Sequence, residues 1–159
     1  MIHKTAIIDS NAKISKNVTI GPHSVIGPDV EIGEDTVLQS HVNITGNTVI
    51  GKNTYLDNQI HIAHNVKIGE NSIIAGQVGI AGSSIIGSNV RIGGQVGIPG
   101  HIKIGNNVEI GGGSGVIKNI PDNTKVMGYP AKNIREFLRD NKWYTKLQLL
   151  IQMLKSLKM

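Results

Sequence analysis

Residues 74–98 read IAGQVGIAGSSIIGSNVRIGGQVGI, and isoleucine returns at every sixth place: Ile74, Ile80, Ile86, Ile92 and Ile98. Two positions before each stands a small or β-branched residue: Ser72, Val78, Ser84, Val90 and Val96. Alternate side chains of a strand face the same way, so both members of each pair point to one interior. Followed outward in sixes, the series holds isoleucine or leucine without a slip from Ile8 to Ile110, and Val116 extends it. Glycine often comes next, as at Gly21, Gly27, Gly33, Gly69 and Gly87. Glycine or a small polar residue there turns a corner.

Three such hexads make a triangular coil, and coils stack at the sheet spacing of roughly 4.8 Å. About six coils give a prism roughly 30 Å long. The expected fold class is an all-β solenoid, a parallel β-helix of hexapeptide repeats over residues 1–130 with a C-terminal helical extension over 131–159. In the extension, Ile134, Phe137, Leu138, Tyr144, Leu147, Ile151 and Leu154 lie near helical spacing. Asp140-Asn141 is expected to interrupt that helix, and three such helices can pack together in a trimer.

Composition agrees with this plan. Aromatic residues make up 3% of the chain, too few for a conventional core, whereas a solenoid needs no single bulky core. With no cysteine, disulfides and thiolate metal sites are excluded. The net charge of +5 sits wholly in the tail, on Lys132, Arg135, Arg139, Lys142, Lys146, Lys155 and Lys158 against Glu136 and Asp140. Such a tail suits an acidic protein, a membrane surface, nucleic acid or plain solvation. The opening MIHKTAIIDSNAK lacks a long apolar stretch, so neither a signal peptide nor membrane insertion is expected, and the expected location is cytoplasmic.

Residues one coil apart lie above each other, which turns the sequence into a surface map. One corner column runs His64, Gly82, Gly100, and beside it runs Asn65, Ser83, His101. The adjoining outward column runs His61, Gly79, Gly97, Gly115, whereas another face carries Lys67, Ile85 and Lys103. Glycine therefore selects one face, where something can lie against bare backbone: an extended acyl or pantetheine chain, a neighbouring subunit, or both. His64 and His101 fall near the same edge, on the order of 10 Å apart. A histidine at such an edge suits general-base work, since its pKa lies near working pH. A further ladder of His23, His41, Gln59, Gln77 and Gln95 is expected to be structural corner stacking, and His3 an exposed terminal residue. No metal is expected; His61 and His64 would bind one adventitiously.

DNQIHIAHN (57–65), AGQVGIAGS (75–83) and GGQVGIPGH (93–101) closely resemble the catalytic segment of LpxD-type UDP-3-O-acylglucosamine N-acyltransferases. That family is one of the left-handed β-helix hexapeptide acyltransferases. The resemblance implies a homotrimer with active sites between prisms. It implies transfer of a 3-hydroxyacyl chain from acyl carrier protein to the 2-amine of a nucleotide-sugar, with no cofactor beyond the carrier thioester and no nucleic-acid partner. Carried over by residue, His64 matches the general base and Gly82 the glycine whose N–H faces the oxyanion. Asp57, Asn58, His61 and His101 match substrate-binding positions. Residues 2–41 look more like LpxA-type UDP-N-acetylglucosamine O-acyltransferases, but those carry AGH where this chain has Ala81-Gly82-Ser83. The resemblance does not reach the uridine-binding domain of LpxD-type enzymes. The ending VMGYPAKNIREF is similar to hexapeptide acetyltransferases that use acetyl-CoA. An O-acyltransferase, a CoA-dependent acetyltransferase and a non-catalytic trimeric scaffold are therefore the alternatives.

Overall fold

The computed structural model describes residues 1–156. Each hexad forms a two-residue strand and a bend, and 18 such strands run from β1 (Ile7–Ile8) to β18 (Glu109–Ile110). All pair in parallel at an 18-residue offset: Ile7 opposite Val25, His61 opposite Gly79, Lys67 opposite Ile85. The strands divide into three sheets, which are the three faces of the prism.

The inward column is sealed. From Ile20 to Ile110 its aliphatic residues are at most 3% exposed. Ile8 and Ile14, in the first coil, are half-buried. Buried hydroxyls among the inward positions are all satisfied. Ser24, Thr36, Thr48 and Ser84 donate to main-chain carbonyls of Gln39, Gly51, Ala63 and Pro99 at 2.9–3.0 Å. Ser24 and Thr48 also accept the N–H of Val42 and Val66 in the next coil. The polar inward residue thus pins one coil to the next instead of leaving an unmet group in the core.

Each corner is turned by one residue at positive φ, recurring every six from Asn17 (58°) to Asn107 (54°). A non-glycine residue there costs about 1–2 kcal/mol, least for Asn and Asp. Ladders of side-chain bonds offset that cost. Asn53 donates to Asn71 at 2.8 Å and Asn107 to Asn123 at 2.9 Å. The expected His23–Gln95 ladder is one of these columns: its histidine rings lie 5.2 Å apart, and Gln77 and Gln95 each donate to the glutamine one coil below.

The last coil departs from the repeat. Ile104 bridges Ile120 and Glu109 pairs with Lys125, so this coil is two residues short of 18. β19 (Lys125–Met127) then pairs antiparallel with β20 (Lys132–Asn133). The extension therefore opens as a strand, and its helix, α1 (Ile134–Ser156), begins three residues later than the expected boundary. Asn133 caps it, accepting the Arg135 N–H at 3.0 Å. The helix runs unbroken through Asp140-Asn141, correcting the expected interruption. Its physical reason is the Asp140 carboxylate, which reaches back to Lys132 Nζ at 2.5 Å rather than competing for its own backbone. Beyond Leu138 the large apolar side chains of α1 are exposed. Lys158 of the basic tail, and the side chain of Lys155, lie outside the described residues. Among the described residues, no helix is long and apolar enough to cross a membrane.

Candidate active site

The glycine face is the sheet whose outward positions run Ile7, Val25, Asn43, His61, Gly79, Gly97. Gly115 continues it through a bridge to Gly97. A Cβ built on Gly79 or Gly97 would meet nothing within 4 Å, and neither residue has a positive φ. Nothing within the chain asks for glycine there, although glycine in a strand costs roughly 0.5–1 kcal/mol relative to alanine. A groove of about 530 Å³ lies over this floor, bounded by His61, Ala63, Ala81, Pro99, Ile117 and Tyr129.

His64 stands at one edge of that face, exposed, where the chain turns toward the next sheet. Its ring covers Gly82. A Cβ on Gly82 would fall 2.6 Å from His64 Cε1 and 2.7 Å from Nε2, so a side chain here would have to displace the ring. Asn65, at φ 57°, places its amide 3.0 Å from His64 Nδ1. Coil-to-coil bonds hold the column in register: Ser83 N–H to the His64 carbonyl at 2.9 Å, and His101 N–H to the Gly82 carbonyl at 3.1 Å. His101 is itself at φ 60°, one coil above.

The Gly82 N–H donates no hydrogen bond among the described residues. Among the described residues, Gly46, His64 and Gly100 of the same column also donate no main-chain N–H, whereas the upper coils of the corner farthest from the glycine face behave differently. There Glu70, Ser88 and Asn106 each give their N–H to a side-chain oxygen of the next coil, at 2.8–3.1 Å. Without a side chain at Gly100, nothing above Gly82 can do the same. An unspent N–H beside an imidazole is the pairing acyl transfer needs, a donor for a developing oxyanion and a base for the attacking group.

Asp57 and Asn58 lie at the opposite edge of the same face. Asn58 donates to Asp57 Oδ1 at 2.8 Å and accepts from Ser40 Oγ at 2.6 Å. Above them Gly76 and Gly94 leave a shallow hollow of about 630 Å³ beside Gln77 and Gln95. Asn58 and His64 are separated by one side of the coil, six residues of near-extended chain spanning at most about 20 Å. The fold therefore brings His64, Gly82 and His101 to one edge, keeps His61 on the face between the edges, and places Asp57 and Asn58 at the other edge.

Two residues at this face were not singled out from sequence. Asn65 was placed in a column but given no partner, although its adjacency to His64 at a left-handed corner was the available signal. Tyr129 sits against Gly115, so closely that a Cβ there would overlap the Cδ2–Cε2 edge of its ring. The hexad register gives no hint of that contact, because the shortened coil intervenes.

Residues 1–102 match the family model described as the GMPPB C-terminal domain. No curated protein matches the chain. Among solved structures, LpxA from Acinetobacter baumannii is 31% identical, covering 89% of this chain and 78% of its own, with a TM-score of 0.56. UDP-N-acetylglucosamine O-acyltransferase (LpxA) from Moraxella catarrhalis is 28% identical over 88% of this chain and 77% of its own, with a TM-score of 0.60. The Francisella novicida UDP-N-acetylglucosamine acyltransferase is 25% identical over 89% of this chain and 73% of its own, with a TM-score of 0.65. These neighbours are left-handed β-helix acyltransferases, and the fold expected from the sequence is theirs.

Proposed function

We propose that this chain, which belongs to the hexapeptide-repeat acyltransferases and, over residues 1–102, to the family of the GMPPB C-terminal domain, transfers a 3-hydroxyacyl group from acyl carrier protein to the 2-amine of UDP-3-O-acylglucosamine, as a cytoplasmic enzyme of lipid A biosynthesis. The observation that carries this reading is the His64 ring laid over Gly82, beside an N–H with no partner and a side-chain-free groove.

His64 takes the proton as the acceptor nitrogen attacks the thioester carbonyl. The oxygen that becomes negative faces the Gly82 N–H. The carbon–sulfur bond then breaks, and the leaving thiolate takes up the proton held on His64. His61 and His101 flank the acceptor along the same edge. Asp57 and Asn58 serve the same site from a neighbouring copy: in a homotrimer, the His64 edge of one prism meets the Asp57 edge of the next. The local motifs around His64, Gly82 and His101 favour the amine acceptor.

The relatives named above favour a second reading, O-acylation of UDP-N-acetylglucosamine by the same machinery. Both are tested together. The purified chain is given 3-hydroxyacyl carrier protein with each acceptor in turn, and acetyl-CoA is offered as the competing donor. Product on the glucosamine amine, lost in His64→Ala, is expected. Product on the hydroxyl acceptor alone selects the second reading. Acetyl transfer alone moves the chain to the CoA-dependent sugar enzymes, and no product from a folded oligomer leaves a scaffold.

A further inference from the structure

We infer that α1 docks the protein on an anionic phospholipid surface, with a row of cations against the headgroups and the apolar side chains beside it at the acyl boundary. This stands apart from the acyl-transfer reading.

The helix starts on the prism and then leaves it. Phe137 packs at Gly128, and Lys132 of β20 holds Asp140. Among the described residues, α1 touches β19 and β20 and no other strand. Trp143, Tyr144, Leu147, Leu150, Ile151 and Leu154 therefore receive no cover from the prism, and they are 43–68% exposed. At about 100° per residue these side chains fall within roughly 120° of the helix surface.

The cations form a second stripe. Arg135, Arg139, Lys142 and Lys146 follow one another at steps of four, three and four residues. That spacing keeps them within roughly 60°. The stripe adjoins the apolar arc, since Arg139 and Leu150 differ by about 20° in direction. The Lys146 ammonium lies 5.7 Å from the centre of the Trp143 ring. The next position in the row, Met153, is apolar, so the far turns seat deeper than the near ones. Lys and Arg lay their stems along apolar surface while their charged ends reach outward to phosphate. Trp and Tyr favour the headgroup level.

Charge selects the occupant. Through Leu154, α1 carries four cations and two carboxylates, Glu136 and Asp140, and Asp140 is already paired with Lys132. No acidic residue follows Asp140 in the chain. A second copy of the helix would thus set Lys142 and Lys146 beside uncharged or like-charged side chains. An acidic protein would answer the stripe and leave the apolar arc in water. An anionic bilayer answers both. Among the described residues no helix is long and apolar enough to cross a membrane, so α1 lies along the surface.

The test uses the full-length protein and vesicles of phosphatidylcholine, alone or with one-third phosphatidylglycerol, sedimented with whatever protein they bind. Binding to the anionic vesicles at low salt is expected, with Trp143 emission moved to shorter wavelength, and little binding to the neutral ones. Added salt should release the protein. Lys142→Gln combined with Lys146→Gln should weaken binding about 30-fold, roughly fivefold for each cation near a charged surface. Lys67→Gln combined with Lys103→Gln removes the same charge from the prism and should leave binding nearly unchanged. Leu147→Gln combined with Ile151→Gln should abolish the emission shift while oligomer size and thermal midpoint stay as in wild type. Failure to sediment with anionic vesicles overturns the proposal, as does binding without an emission shift or an equal loss in the two lysine pairs. An oligomer that falls apart in the Leu147/Ile151 variant assigns the face to a second copy. Capture of acyl carrier protein with no vesicle binding assigns it to an acidic protein. Either result also overturns the proposal, and none of these readouts depends on whether an acyl group is transferred.

Discussion

The His64 imidazole fills the space that a methyl group on Gly82 would need, with Cε1 2.6 Å from the position of that carbon. The proposed base and the proposed oxyanion donor thereby lie against each other. Gly82→Ala must push the ring off its place and also crowd the N–H. A fall in kcat of at least 10²-fold is expected, the scale of removing one oxyanion donor. The thermal midpoint should stay within a few degrees, since the ring is exposed and has room to turn aside. Turnover within threefold of wild type would remove Gly82 from the mechanism.

His64→Ala isolates the base. General-base contributions run to about 10²–10⁴-fold, so kcat should fall by that amount. The side chain is exposed and not part of the inward column, so oligomer size on a sizing column should not change. Loss of the oligomer with activity would mark the histidine as structural.

Asn65 sets which ring nitrogen is available. With its NH₂ against Nδ1, the neutral imidazole carries its proton on Nε2; a half-turn of the amide places the oxygen there, accepts an Nδ1 proton and leaves Nε2 free to act as base. The second arrangement is the one catalysis needs. Asn65→Asp supplies an acceptor that cannot turn and adds a negative charge, which favours the protonated ring. The acid limb of the kcat/KM profile should therefore move to higher pH, with transfer retained at pH 8. An unmoved limb separates Asn65 from the base.

Gly79 distinguishes a floor kept for folding from one kept open for a ligand. Alanine there meets no atom within 4 Å, and it restricts the unfolded chain. Gly79→Ala should leave stability unchanged or raise it by about 0.4–1 kcal/mol, while weakening transfer at least tenfold. By contrast Ile80→Ala, one residue on and 1% exposed, should cost about 2–5 kcal/mol. A destabilised Gly79→Ala protein, read by urea unfolding, would show that the glycine serves the prism itself.

The Lys132–Asp140 pair makes the tail acid-sensitive. The Asp140 carboxyl is held below its ordinary value, chiefly by its hydrogen bond to Lys132. A depressed carboxyl stabilises the folded form above its unfolded value, about 3.9, and that contribution is lost as pH falls through the lower folded value. Trp143, the single tryptophan, reports on α1. Its fluorescence anisotropy should drop below about pH 4 while the far-ultraviolet strand signal persists. Asp140→Asn should flatten that dependence; an unaltered profile would mean the pair does not hold the helix.

Why the prism was readable and the site only half so follows from the same rule. Every layer from Ile20 to Ile110 repeats one environment, so periodicity alone places each side chain inside or out. It also placed His64, Gly82 and His101 at one edge, with His61 in the adjoining outward column, because stacking at an 18-residue offset is arithmetic on the sequence. The same arithmetic puts Asn58 beside the Gln59 corner and His64 at the next corner, but it does not show the hydrogen bonds Asn58 makes to Asp57 and Ser40. Nor could it anticipate Tyr129, whose position depends on a coil that breaks the period. The carboxylate of Asp140 misled for a related reason: its partner, Lys132, lies in a strand that the helical pattern does not reveal.

A stack of identical layers has no built-in stopping point. Each coil is a template for the next, and two such ends meeting would extend into a filament. The short final coil prevents this at one end. It shifts the register by two residues, and then β20 runs against the grain along one exposed edge, with α1 leading the chain away. An incoming prism would find no matching ladder on that face. The shortened coil and the antiparallel β20 thus leave this edge of the prism without a ladder that another coil could continue.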